Sequence, residues 1–217
     1  MNTKKKILDA ALSLFSEKGY ADVYVSQIAE AVGIKAPSIY KHYKSKKEIF
    51  NAILDEMKNN YVKMASSLDI NGDNAAGDAA FYMKASGEQI METGMALLTY
   101  FLHDEYACKF RKMLTVGQFH DKELAQLFSS QYADEPLAYQ SAMFAMLSAH
   151  GQLKNEAPDV MALHFYAPLF MIMTMYDREP EREQELLQLA RRHISQFIRI
   201  YTKEEYHEDN CDTRTEP

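Results

Sequence analysis

The sequence predicts an all-α fold in which a small N-terminal three-helix domain precedes a larger helical domain. Apolar residues recur at helical spacing along most of the chain, and no segment shows the strong alternation typical of strands. The 217 residues include thirteen Met but only eight Gly and six Pro, a composition that suits packed helices. We expect domains at residues 1–48 and 49–203, followed by a flexible tail at 204–217.

Four helical segments are predicted in the first third of the chain. The first two are followed by Gly19 and Gly33, in the position where glycine commonly ends a helix. A cluster of Asn, Asp and Gly at 67–78 then predicts a linker. The predicted helices are 3–18, about 25–32, about 36–43 and a longer one from about residue 45.

Six further helical patterns follow the linker. Pro136, Pro158 and Pro180 each stand where a new helix should begin, which is the position that tolerates proline. The predicted helices lie near 79–103, 104–117, 121–132, 135–150, 157–177 and 180–202.

The distribution of charge indicates a basic N-terminal part on an acidic body. Residues 1–63 contain eleven Lys, no Arg and seven acidic residues, a balance of +4, whereas the remainder has a balance of −11. This asymmetry suggests that the N-terminal part meets a polyanion, although a solvated basic surface would give the same count.

Composition also bears on the compartment. Cys108 and Cys211 are too few and too distant for a disulfide framework. The longest apolar run, 165–176, is shorter than a membrane span, and residues 1–15 are better explained as a helix than as a signal peptide. We expect a cytoplasmic protein.

The segment around Gly33-Ile34-Lys35 has the dimensions of a helix-turn-helix. Its apolar residues can form a miniature core below the second helix. The outer face of that helix would then enter a major groove with Lys35, Ala36, Pro37, Ser38 and Lys41. Phosphates would be bound from the flanks by Tyr40, His42 and Lys46.

Residues 7-ILDAALSLFSEKGY-20 and 28-IAEAVGIKAPSIYKHYKSKKEIF-50 together resemble the DNA-binding domain of the TetR family of transcriptional regulators. The resemblance implies that Tyr40, His42 and Lys46 bind phosphate. It further implies that base edges are read by Ala36, Pro37, Ser38 and Lys41, with Ser26 reaching the groove from the preceding helix.

One position departs from the family pattern. The family usually has Ser or Thr at the start of the second helix, where this chain has Tyr24. Either Asp22 caps the helix from further back, or Tyr24 reaches a phosphate through its hydroxyl. The lack of Arg in residues 1–63 also predicts that base reading rests on Lys35 or Lys41, on thymine-methyl contacts and on DNA shape.

The last two helices predict a homodimer. Residues 157–176 are apolar on nearly every side, which requires burial on both faces, and the final helix is amphipathic. Two such helices from each subunit would form a four-helix interface, as is usual in the family, and place two recognition helices about 34–36 Å apart. A monomer with one large core is the alternative. The expected interface residues are Phe165, Leu169, Ile194, Phe197 and Tyr201.

Methionines and aromatic residues of the larger domain predict a pocket for a small hydrophobic or amphipathic effector, although such residues more often form ordinary core. The adjacent pairs His103-Asp104 and His120-Asp121 lack chelating spacing, so no metal site is expected. The expected pocket residues are Tyr100, His103, Phe110, Phe119, Tyr139, Met143 and His164.

The sequence therefore predicts a ligand-responsive repressor that binds a palindromic double-stranded operator. No phosphate loop, nucleophile elbow or metal motif is present, so we expect no enzyme and no cofactor. The alternative is a DNA-binding dimer without a small effector, controlled by a protein partner or acting architecturally.

Overall fold

The computed structural model describes residues 2–203, and within them it confirms the all-α prediction. The regular structure of this range is helical, and Leu153 and Thr202 form an isolated antiparallel bridge. The helices are α1 (Thr3–Lys18), α2 (Val25–Val32), α3 (Ala36–Ile39), α4 (Lys46–Ser67), α5 (Ala75–Tyr82), α6 (Gly87–His103), α7 (Glu105–Gly117), α8 (Lys122–Ser129), α9 (Glu135–Ala149), α10 (Pro158–Tyr176) and α11 (Glu183–Tyr201).

The chain divides into two compact units that are each discontinuous in sequence. Among the described residues, the first contains 2–67 and 99–133, and the second contains 68–98 and 134–203. α4 continues through residue 48, and α6 begins in the second unit and ends in the first. The functional division predicted after residue 48 stays a prediction, and the predicted tail lies outside the described residues.

The first unit is organised around α1. This helix buries Ile7, Ala11 and Phe15 completely, and it packs against α2, α4 and most extensively α7. Two of these covering helices are also joined by a hydrogen bond, in which the Tyr106 hydroxyl of α7 donates to the Ile53 carbonyl of α4 at 3.3 Å. α7 is therefore part of the same body as the helix-turn-helix.

The second unit buries an aromatic cluster between α5, α9, α10 and α11. α10 packs along both α9 and α11. The ring of Phe197 lies 5.3 Å from that of Phe144 and 4.9 Å from that of Phe165, centroid to centroid. This cluster explains the apolar character of residues 157–176, because one side of α10 faces α9 and another faces α11. None of the helices in residues 2–203 is long and apolar enough to cross a membrane.

The prediction of one helix near 79–103 was wrong, because the chain forms α5 and α6 there. Ser86 caps the start of α6. Its hydroxyl accepts a hydrogen bond from the Gln89 amide at 3.2 Å, and the Gln89 side chain accepts one from the Ser86 amide at 2.8 Å. This reciprocal capping box is legible in the sequence 86-SGEQ-89. The predicted helix 36–43 is also shorter, since α3 ends at Ile39 and a turn follows.

The predicted linker contains an ordered turn held by Asp78. This buried carboxylate accepts the backbone amides of Asn71 at 2.7 Å and Gly72 at 2.8 Å, the Asn71 side-chain amide at 2.9 Å and the Tyr139 hydroxyl at 2.6 Å. Burial alone would raise the pKa of Asp78, but these hydrogen bonds outweigh it and lower the pKa below 3.8.

We predict that this carboxylate makes the protein acid-sensitive. A lowered folded-state pKa gives stability that is fully present above the unfolded pKa and is lost as the pH falls through the folded value. Asp78→Ala should therefore lower the free energy of unfolding near neutral pH by roughly 2–4 kcal/mol, because it leaves buried donors unpaired.

Chemical denaturation between pH 2 and pH 7 tests this prediction. Tyr139→Phe is the matched control, because it removes one hydrogen bond and keeps the charge. A parallel pH dependence of stability for the wild type and Asp78→Ala would contradict it.

Candidate nucleic-acid interface

The turn between α2 and α3 is built on Gly33. This residue has φ 76° and ψ 31°, the left-handed conformation that glycine adopts without steric cost. Its amide donates to the carbonyl of Glu30, and the Ile34 amide donates to that of Ala29 at 2.9 Å, which closes α2 as the sequence predicts.

A buried layer below α3 fixes the orientation of its outer face. Ile28, Ala29, Ile39 and Tyr43 are essentially inaccessible to solvent, and the Tyr43 hydroxyl donates to the Lys4 carbonyl at 3.4 Å. Because α3 has only four residues, this layer, rather than helix propensity, holds it in place.

The predicted DNA-contacting residues lie around this short helix. Exposed side chains belong to Ser26, Lys35, Pro37, Tyr40 and Lys41, whereas Ala36, Ser38 and His42 are half-buried. Two lysines, a proline and a tyrosine are therefore accessible within the short segment 35–41. The contacts that these residues make with phosphates and base edges stay a prediction.

The start of α2 is capped from within the helix. The side-chain oxygen of Gln27 accepts the Tyr24 amide at 2.7 Å. The ring of Tyr24 is 70% exposed, so its hydroxyl is accessible to a phosphate. Gln27 is the residue that sequence reasoning missed, and its place three residues after the cap was the available signal.

Lys46 makes hydrogen bonds within the protein that the sequence did not predict. Its ammonium donates to the carbonyls of Tyr20 at 2.8 Å, Ala21 at 3.3 Å and Val23 at 2.9 Å, and it lies 4.4 Å from the centre of the Tyr20 ring. Burial lowers the pKa of Lys46, against an opposing effect of Asp22. All three donors of the ammonium are used to hold the turn between α1 and α2.

The residues predicted to line an effector pocket fall in both compact units. Tyr100, His103, Phe110 and Phe119 belong to the first, and Tyr139, Met143 and His164 belong to the second. Phe119 is 79% exposed, whereas Phe110 and Met143 are buried core residues. The hydroxyl oxygen of Tyr100 is buried without a hydrogen-bond partner among residues 2–203, and burial raises the pKa of Tyr100 to about 12.

The residues predicted to form a dimer interface lie mostly inside one protomer. Ile194 has no exposed surface, and Leu169 and Phe197 are also buried. Sequence periodicity assigned these residues to the apolar sides of α10 and α11 but could not tell which side faces the protein's own core. The large apolar residues that remain exposed on the two helices are Val160, Leu163, Met171, Leu189 and Ile200.

An open groove of about 400 Å³ runs between α10 and α11 in the second unit. It is lined by Leu163, Ala167 and Ile200, together with polar side chains. Among the latter, His164 Nδ1 lies 2.5 Å from the Tyr201 hydroxyl. The predicted pocket residue His164 is therefore part of this outer surface.

Comparison of the sequence with known proteins relates this chain to bacterial regulators over part of its length. Residues 7–53 match the family model for bacterial regulatory proteins of the tetR family. The chain is 41% identical over 59 residues to IcaR of Staphylococcus epidermidis, the HTH-type negative transcriptional regulator of the biofilm operon icaADBC. That alignment covers 27% of this chain and 32% of IcaR, so the chain matches about a third of this relative's length.

Solved structures match over nearly the whole chain but with low identity. SmeT, the repressor of the Stenotrophomonas maltophilia multidrug efflux pump SmeDEF, has a TM-score of 0.64 at 18% identity and covers 100% of this chain and 98% of its own. FadR of Bacillus subtilis, solved with stearoyl-CoA, has a TM-score of 0.63 at 17% identity and covers 89% and 97%. These likenesses show a shared fold.

We predict that Lys46→Met destabilises the first unit by about 1–2 kcal/mol, because three carbonyls lose a charged donor. Denaturant unfolding measures this loss, and amide hydrogen exchange of residues 20–24 should become faster. Lys41→Met is the matched control, since Lys41 is exposed, and it should leave stability unchanged. Equal stabilities for the two variants would contradict a structural role for Lys46.

Proposed function

Because this chain belongs to the TetR family of bacterial regulatory proteins, we propose that it is a cytoplasmic repressor that binds a palindromic operator as a homodimer. The observation that carries the proposal is the exposed surface around α3, where Lys35, Pro37, Tyr40 and Lys41 stand on a buried layer. A basic surface on a short helix that is supported by buried residues suits insertion into a major groove.

Within this surface the side chains have different tasks. Lys41 and Lys35 can donate to guanine O6 and N7, and Pro37 and Ala36 can contact thymine methyl groups. Tyr40 can donate its hydroxyl to a phosphate, which positions the protein without reading sequence. Because the Lys46 ammonium donates to three carbonyls of the α1–α2 turn, we infer that it positions this turn. Through the turn it also positions Tyr24 and Ser26.

The exposed apolar residues of α10 and α11 support the homodimer. Leu163, Ala167 and Met171 follow one another at spacings of four residues on α10, and Leu189 and Ile200 extend the apolar surface on α11. A second copy related by a two-fold axis would cover this surface and fill the groove beside it. Two-fold symmetry of the protein in turn predicts two-fold symmetry of the operator.

A hydrophobic or amphipathic effector is the finer part of the proposal. SmeT has been solved with triclosan and FadR with stearoyl-CoA, and here the unpartnered Tyr100 hydroxyl offers a polar contact that a bound molecule would satisfy. A ligand that binds better to a conformation with displaced recognition helices would weaken operator binding in proportion to that difference in affinity.

We predict that selection from randomised duplex DNA will enrich a palindrome whose affinity falls steeply with salt. Lys41→Ala should relax preference at particular base pairs and cost about 1–3 kcal/mol. Tyr40→Phe should weaken binding to all DNA sequences alike. It should leave the salt dependence of binding unchanged, because tyrosine is neutral. Titrations at several salt concentrations measure both effects.

Failure to enrich any sequence, with only weak salt-sensitive binding, would contradict operator recognition. It would direct the search for function to a protein partner.

We predict that Met171→Glu converts the dimer to a monomer. A carboxylate buried without a partner costs about 3 kcal/mol or more, so the dimer dissociation constant should rise at least about 100-fold. Sedimentation equilibrium measures this change. Val62→Glu, which replaces an exposed apolar residue of α4, is the matched control and should remain dimeric.

A further inference from the structure

Lys47 is the second residue of α4, next to Lys46, and its ammonium is bound by a carboxylate of the same unit. The Lys47 ammonium donates to Glu123, which lies in the first turn of α8. The Lys47 side chain is 42% exposed and that of Glu123 is 69% exposed. The pair therefore lies at the surface, where another anion can reach the ammonium.

Acidic charge at the start of α8 acts on the same turn that Lys46 holds. Burial raises the pKa of Tyr20, and the negative charges of Glu123 and Asp121 raise it further. Asp121 also caps α8, because its carboxylate accepts the amides of Glu123 at 2.8 Å and Leu124 at 3.1 Å. Two carboxylates thus stand beside the turn that leads into α2.

The position of Glu123 is fixed by the packing of α8 on α7. A Cβ added at Gly117 would lie 2.4 Å from a methyl carbon of Leu124 and 3.4 Å from its Cβ, so α7 and α8 pack closely at this point. α7 in turn packs along α1. Glu123 is therefore positioned by a helix that packs on α7, so its distance from Lys47 follows any movement of α8.

From this arrangement we propose that Glu123 competes with a DNA phosphate for the Lys47 ammonium, and so keeps Lys47 from binding the operator. The inference rests on the proposed function, since it assigns regulation to the same DNA-binding surface. Lys47 directly follows Lys46 and lies five residues after His42, at the end of α4 that adjoins the recognition surface. A displacement of α8 that separates the pair would add one cation to that surface.

The energy of the contact suits a regulatory role. Surface ion pairs contribute little to stability, so the pair can open without unfolding the unit. Release of Lys47 should tighten operator binding about 1.4- to 5-fold per protomer. This factor corresponds to the usual range of interaction free energies of surface ion pairs. One further phosphate contact should also steepen the dependence of log K on log salt concentration by about 0.9.

The test compares operator titrations at several salt concentrations for the full chain and its variants. Glu123→Gln should bind more tightly, with the steeper slope. Lys47→Gln in the wild-type background should leave both quantities nearly unchanged, whereas in the Glu123→Gln background it should abolish the gain. Glu105→Gln is the matched control, because it removes the same charge from a pair with Lys109 on α7.

The outcomes separate this inference from the proposed function. Absence of operator binding by the wild-type chain would overturn the proposed function itself. Operator binding by the wild type with an unchanged slope for Glu123→Gln would overturn only the inference. An equal gain for Glu105→Gln would also overturn it, since net charge would then explain the effect. Thermal unfolding of each variant establishes that the fold is retained.

Discussion

The burial of one apolar stripe of α1 is the constraint on which the first unit depends. Ile7, Ala11 and Phe15 are fully buried, and the helices that cover them come from distant parts of the chain. α2 and α4 are near in sequence, whereas α7 begins about ninety residues later. The layer below α3 is attached to this stripe through Tyr43, which reaches the carbonyl of Lys4.

This constraint also explains how the proposed DNA-binding surface can be built on a four-residue helix. An isolated helix of that length has no stability of its own in water. Ile39 at the end of α3 and Tyr43 in the turn that follows are anchored in the buried layer, so the exposed side chains of Tyr40 and Lys41 between them have a defined direction. The protein thus obtains rigidity from packing below the surface and leaves the surface to charge and hydrogen bonding.

The basic charge of residues 1–63 is distributed between structure and recognition. Lys5 pairs with Glu56 at 2.8 Å, Lys46 is held by three carbonyls and Lys47 is bound by Glu123. Lys35 and Lys41 remain exposed. A count of lysines therefore overstates the positive charge presented to DNA, because cations near a protein surface are bound wherever carbonyls and carboxylates converge on them.

The sequence by itself determined the helical class, the positions of most helices and the helix-turn-helix, because periodicity, glycine stops and the 28–50 motif are local signals. It also contained the capping box at Ser86, which was overlooked. Only the tertiary structure decided that Lys46 holds a turn, that Ile194 faces the protomer's own core and that Glu123 meets Lys47. Periodicity shows that a helix has an apolar side but not what covers it, and the partners of Lys47 and Ile194 are chosen by packing between segments far apart in the chain.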